Sequence, residues 1–144
     1  MADLESYLAK HVEPAIAGVI LALAGAASAI AGEIRMPATS FDEAAGAVNA
    51  DGDTQKKLDV IADDIVLEAL ARTGVGSYLS EERDAAVPVD PEGTMIVACD
   101  PLDGSSNIGV NVSVGTIFSL LPASDGELQS GRNQLAAGFF VYGP

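Results

Sequence analysis

The residues best equipped for chemistry stand together in Asp100-Pro101-Leu102-Asp103-Gly104-Ser105-Ser106-Asn107. Asp100 and Asp103 are hard oxygen donors of the kind that Mg2+ or Mn2+ prefers. Pro101 stiffens the link between them, and a turn here can expose the Leu102 carbonyl as a neutral ligand. Gly104 lets the backbone approach a ligand closely. Ser105 and Ser106 add hydroxyls and N–H groups that suit phosphate oxygens. Carboxylates beside an anion cradle repel the anion unless a cation stands between them, so the pattern points to metal-assisted phosphoryl chemistry.

Other acids can join this group. Glu81-Glu82 taken alone reads as a solvated turn, because adjacent like charges repel. However, positions 81–103 hold seven acids and a single base, Arg83, a density that favours cation binding. Asp59 follows Lys56-Lys57-Leu58, and by position alone it reads as a surface carboxylate on a helix, with the two lysines on a solvated face. His11 has no evident partner and reads as a surface residue. Cys99 has no histidine beside it and reads as a small core residue. Walker-type loops, Rossmann glycine patterns and zinc-like Cys/His spacings do not occur.

The elements that must position these residues follow from the apolar pattern. Residues 14–32 carry no charge but are mostly Ala and Gly, and the start of the chain is acidic rather than basic. A buried, closely packed helix is therefore expected over a membrane or secretory segment. Residues 36–52 read as irregular. A helix is expected over 54–72 with Asp53 or Thr54 as its N-cap, its apolar side formed by Leu58, Ile61, Ile65 and Leu70, and Asp63, Asp64 and Glu68 facing elsewhere. Short strands are expected at 77–79, 93–99 and 110–121, with a polar turn over 123–132 before the last apolar run. Between the second and third of these lies DPLDGSSNIG, a stretch in which Pro and Gly are expected to forbid regular pairing. The pattern is α+β or layered α/β in one domain or part of one.

Composition narrows the partners. The 144 residues include 7 Lys+Arg against 21 Asp+Glu, a formal net charge of -14. That charge disfavours nucleic acid and anionic lipid, so no nucleic-acid or membrane partner is expected. With one cysteine, no intrachain disulfide can form, which fits a reduced, cytoplasmic setting.

Four stretches in order, GDTQKKLDVIADDIV (52–66), YLSEE (78–82), DPLDGSSNIGVNVSVGTIFSL (100–120) and GRNQLAAGFFVYG (131–143), resemble class 1 fructose-1,6-bisphosphatases. DPLDGSS alone is also similar to the wider lithium-sensitive sugar and inositol phosphatases. The resemblance implies a layered αβαβα sandwich of which residues 1–144 are the N-terminal portion. It implies hydrolysis of the 1-phosphate of fructose 1,6-bisphosphate, with Mg2+ as cofactor and Mn2+ or Zn2+ as alternatives, and a homotetramer for the full-length form. By motif position, Glu81, Asp100, Asp103 and the Leu102 carbonyl hold metal, while Asp59 and Glu82 orient and deprotonate the attacking water. Asp53, on a loop with Asn49, closes over the metals. Asp103, Gly104, Ser105, Ser106 and Asn107 meet the substrate 1-phosphate. Further family residues that ligate metal and grip the sugar lie beyond position 144, so the chain alone is expected to be inactive or nearly so. The N-terminal region lacks the basic and Gly-Thr-Gly features of the family's AMP site, and inhibition by that route is not expected. The competing expectations are a non-catalytic acidic module that binds divalent cations or a partner, and a protein tethered to membrane through 14–32.

Overall fold

The computed structural model describes residues 3–35, 50–108 and 112–143. Most of the expected irregular stretch 36–52, Asn49 included, lies outside the described residues. Helix α1 (Leu4–His11), which the apolar pattern did not announce, starts on Asp3, whose carboxylate accepts the Ser6 N–H at 2.7 Å. Glu5 in its first turn and Lys10 and His11 in its last complement the helix dipole. His11 has a neighbour after all: the Tyr7 ring, with centroids 4.6 Å apart.

Helix α2 (Pro14–Ile34) opens on proline, whose missing N–H costs nothing at that position. It buries Val19, Leu23, Ala26, Ala27 and Ile30, whereas Gly18, Gly25, Ser28, Ala29 and Gly32 are exposed. The expected interior helix is thus packed on one side only. It is long and apolar enough to cross a membrane, with a mean hydropathy of 2.1 and 33% of that window buried.

Helix α3 (Ala50–Leu70) begins earlier than the expected 54–72. Ala50 favours helix, and acids at 51 and 53 suit the positive end of the dipole. Asp53 is therefore helical rather than the residue before the helix, and its side chain lies outside the described residues. The buried stripe is Leu58, Ala62, Val66 and Leu70, each four residues from the next, while Ile61 and Ile65 are only half-buried. Asp63, expected to face away, is buried at 3% exposure on that packed side.

Five strands form one mixed sheet in the order β2-β1-β3-β4-β5: β1 (Val75–Ser80), β2 (Val87–Pro88), β3 (Met95–Asp103), β4 (Val114–Pro122) and β5 (Ala136–Tyr142). β1 and β3 are parallel, and the other pairs are antiparallel. Entry into this sheet needs two glycines: a Cβ on Gly93 would stand 2.2 Å from the Gly76 backbone nitrogen. The helices cover one face. Val19, Leu23 and Ile30 of α2 and Leu58 and Val66 of α3 pack with Tyr78, Val97, Phe118 and Leu120 of the sheet in one hydrophobic cluster. On the opposite face Ile117, Phe139 and Val141 stay exposed, at 47%, 71% and 59%.

One expectation is corrected in β3. Pairing does not stop at Asp100: the strand continues through Pro101 and Leu102 to Asp103, opposite Gly115. A register shift between Asp100 and Asp103 absorbs the proline, which has no N–H to offer the ladder. The freed Pro101 carbonyl accepts the Thr116 hydroxyl at 2.7 Å, and that hydroxyl also shares a hydrogen bond with Tyr142.

Candidate active site

The parallel pairing of β1 with β3 places Ser80 opposite Cys99, so Glu81, just past the end of β1, stands beside Asp100, which β3 carries on towards Asp103. The Glu81 N–H reaches back to the Cys99 carbonyl at 3.1 Å and fixes the turn. Burial, then the hydrogen bond and charge of Glu81, push the Asp100 carboxyl up to about 7, with Asp103 adding to the effect. The Leu102 N–H donates to Asp100 Oδ1 at 3.1 Å and pulls the other way. Asp100 pairs with Ile117, which places both on the uncovered face, because directly opposed residues share a side. There Asp100 borders an open cleft of about 540 Å³ together with Ala98, Ile117, Gln134 and Phe139. Asp103 borders a smaller cleft of about 190 Å³ beside Ser113, Phe139 and Val141.

Helix α3 brings in Asp59. Its Oδ2 accepts the Ser105 hydroxyl at 3.4 Å, while its Oδ1 is enclosed without a hydrogen-bond partner among the described residues. Burial raises the Asp59 carboxyl above its ordinary value and Glu81 adds to it, against the Ser105 hydrogen bond. Burial also raises Glu82, with Asp59, Glu81 and Asp63 contributing. These mutual effects show that residues from α3, the β1 turn and β3 share one electrostatic environment. Asp59 is half-buried rather than fully solvated on its helix, whereas Glu81 and Glu82 are exposed in their turn.

Gly104 supplies the left-handed turn (φ 78°) after β3, and Ser105–Asn107 form a single 3₁₀ turn. The Asn107 N–H is committed to the Gly104 carbonyl at 2.8 Å, and the Ile108 N–H to the Ser105 carbonyl at 3.0 Å. The Ser105 hydroxyl is turned to Asp59, so the Ser106 hydroxyl and the Asn107 side-chain amide are the side-chain groups the turn presents. Residues 109–111 lie outside the described residues. Among the described residues no three His, Cys, Asp or Glu side chains form a ready metal-ligating set. Glu81 and Asp100 are together, and Asp103 adds its charge at Asp100 without completing such a set.

Sequence reasoning missed Asp63, Tyr78 and Arg83. Asp63 Oδ1 accepts the Tyr78 hydroxyl at 2.9 Å, and Asp63 Oδ2 meets Arg83 Nε at 2.5 Å. Arg83 also reaches Asp64 at 2.9 Å. A usable signal existed, since Arg83 is the sole base among seven acids and Asp63 stands one helical turn from Asp59.

The family described as "Fructose-1-6-bisphosphatase, N-terminal domain" matches residues 4–144. A class 1 fructose-1,6-bisphosphatase from a Bradyrhizobium species is 49% identical over 98% of this chain and 44% of its own. One from Rhizobium meliloti is 46% identical over 99% of this chain and 46% of its own. The crystal structure of Leishmania major fructose-1,6-bisphosphatase in holo form superposes with a TM-score of 0.80 at 27% identity, covering 99% of this chain and 45% of that one. The chain spans less than half the length of these relatives.

Proposed function

This chain belongs to the fructose-1,6-bisphosphatase family, and on that premise we propose that it carries the cation- and 1-phosphate-binding part of a sugar-bisphosphate phosphatase. The reaction is hydrolysis of fructose 1,6-bisphosphate to fructose 6-phosphate and phosphate. The observation that carries the reading is that Asp59, Glu81, Glu82 and Asp100, drawn from three separate segments, act on one another's carboxyls, with Asp59 hydrogen-bonded to the Ser105 turn. The donor set suits a hard divalent cation: all donors are oxygens, and the enclosed Asp59 Oδ1 lacks a partner among the described residues. Glu81, Asp100, Asp103, the Leu102 carbonyl and Asp53 are the residues assigned to it, with Mg2+ the intended ion and Mn2+ or Zn2+ as substitutes.

Bound there, such a cation supplies charge neutralisation and lowers the pKa of a bound water. The chain's own residues do the rest. Asp59 and Glu82 accept the proton of the attacking water. Their raised pKa values make them better bases than an ordinary carboxylate, provided that they remain ionised. The Ser105 hydroxyl holds Asp59 in orientation. Asp103, Gly104, Ser105, Ser106 and Asn107 receive the phosphate, the Ser106 hydroxyl and the Asn107 side-chain amide donating to its oxygens. The full-length protein is assigned to the cytoplasm as a homotetramer, in keeping with the reduced cysteine and the family premise.

The isolated chain is expected to release little phosphate, because the β4–β5 face beside Asp100 and Asp103 stands open to water. The test is calorimetric titration of inorganic phosphate into the chain with and without Mn2+. Phosphate uptake only when Mn2+ is present supports the reading. Uptake without the cation, or no Mn2+ uptake at millimolar concentration, contradicts it and favours the acidic partner-binding module.

A further inference from the structure

The Glu81-Glu82 turn is held from both ends by one carboxylate outside the assigned site. Ahead of the turn, Tyr78 in β1 donates to Asp63 Oδ1 at 2.9 Å; behind it, Arg83 meets Asp63 Oδ2 at 2.5 Å. The Asp63 side chain is only 4% exposed, and both of its oxygens are used. Arg83 has a second, outer attachment to Asp64, whose side chain is 67% exposed. Asp63 stands one turn beyond Asp59 on α3, so the two carboxylates leave the helix on one side about 6 Å apart. One reaches the Ser105 turn and the other reaches the Glu81-Glu82 turn.

We propose that Asp63, acting with Arg83, is a positioning residue: it ties the Glu81-Glu82 turn to α3 and so sets where Asp59 stands relative to Glu81 and Glu82, without touching cation or substrate itself. Two features favour positioning over plain packing. A buried carboxylate is retained only when its partners are fixed, and these partners bracket the two glutamates. Arg83 is also a cation that directly follows Glu81 and Glu82 in the chain, and its charge by itself opposes uptake of a metal ion there. Its placement there is better explained by geometry than by attraction of the ligand. Residues that orient ligands in this way commonly change metal affinity by about 10–100-fold when replaced.

The proposal rests on the reading of Glu81 and Asp100 as cation ligands, and the test separates the two. Mn2+ affinity is measured by electron paramagnetic resonance on the 144-residue chain and on Asp63→Asn, Arg83→Gln and Asp64→Asn. Backbone amide shifts of Glu82 and Ser105 are recorded without metal. Positioning predicts that Asp63→Asn and Arg83→Gln each weaken Mn2+ binding by about tenfold, that Asp64→Asn stays within twofold, and that the two amides move in the first two variants. A pure charge effect has the opposite sign for Arg83→Gln, which would then bind Mn2+ more tightly, and equal effects for Asp63→Asn and Asp64→Asn; either result overturns the proposal. Arg83 is partly exposed, so its replacement keeps the test open if Asp63→Asn fails to fold. If the parent chain takes up no Mn2+, the cation reading fails, and the metal-free amide shifts decide the clamp: movement supports it and stillness overturns it.

Discussion

The two faces of the sheet differ in both packing and charge. On the helix side, alternate residues of β4 and β5 such as Phe118, Leu120 and Tyr142 are sealed beneath α2 and α3. On the other side their neighbours Ile117, Phe139 and Val141 are exposed, and Asp100 and Asp103 border the same surface. The covered face supplies stability. The open face combines apolar surface with Asp100, whose carboxyl burial and Glu81 push up to about 7. Within β3, β4 and β5 the alternation of single strands thus sends packed residues to one side and Asp100 to the other, while Asp59 joins the site from the covering helix.

Truncating the covered face should have the largest effect. Phe118→Ala removes a ring that is 5% exposed and packed near Phe140, with centroids 5.6 Å apart. A loss of about 3–5 kcal/mol in denaturant unfolding is expected. A loss below 1 kcal/mol would mean that the covered face is not the core. Next comes Asp100→Asn, which removes a proposed ligand charge while keeping shape. Mn2+ affinity should fall by about a hundredfold, that is by about 3 kcal/mol. Unchanged affinity would place the cation elsewhere.

A pH titration sharpens the contrast further. The Asp100 carboxyl, at about 7 when folded, lies above its ordinary value of 3.8, so the folded state binds more protons than the unfolded one between those limits. The contribution of this group to stability is therefore greatest below about 4 and is lost as pH rises through 7. Because a cation competes with that proton, Mn2+ affinity should climb with pH and level off above 7. Calorimetry at stepped pH checks both slopes, and a flat affinity profile from pH 5 to 8 would remove Asp100 from the site. The smallest effect belongs to the open face: Phe139→Ala, at a 71% exposed position, should change unfolding free energy by less than about 0.5 kcal/mol. A larger loss would show that this face is covered in solution.

Much of this division is legible in the sequence. The runs over 93–99 and 110–121 announce β3 and β4, and the glycine and serines of DPLDGSS announce the turn that follows β3. What is not legible depends on contacts distant in sequence. The burial of Asp63 is set by Tyr78 and Arg83, 15 and 20 residues away, so helical periodicity alone assigns it to the wrong side. The continuation of β3 past Pro101 depends on a register shift and on the Thr116 hydroxyl from the next strand. Helix α1 and the two-residue β2 are too short to leave a periodic signal. The small residues of α2 predict close packing, but they cannot reveal that only one side is packed.

The central claim is that carboxylates from α3, the turn after β1 and the end of β3 share one divalent cation. The most direct measurement is paramagnetic broadening of amide resonances as substoichiometric Mn2+ is added to the chain. The account predicts that Asp59, Glu81, Asp100 and Ser105 broaden together and first. Broadening that begins instead at dispersed acids such as Glu5, Glu68 and Glu127, with those four left sharp, would contradict it.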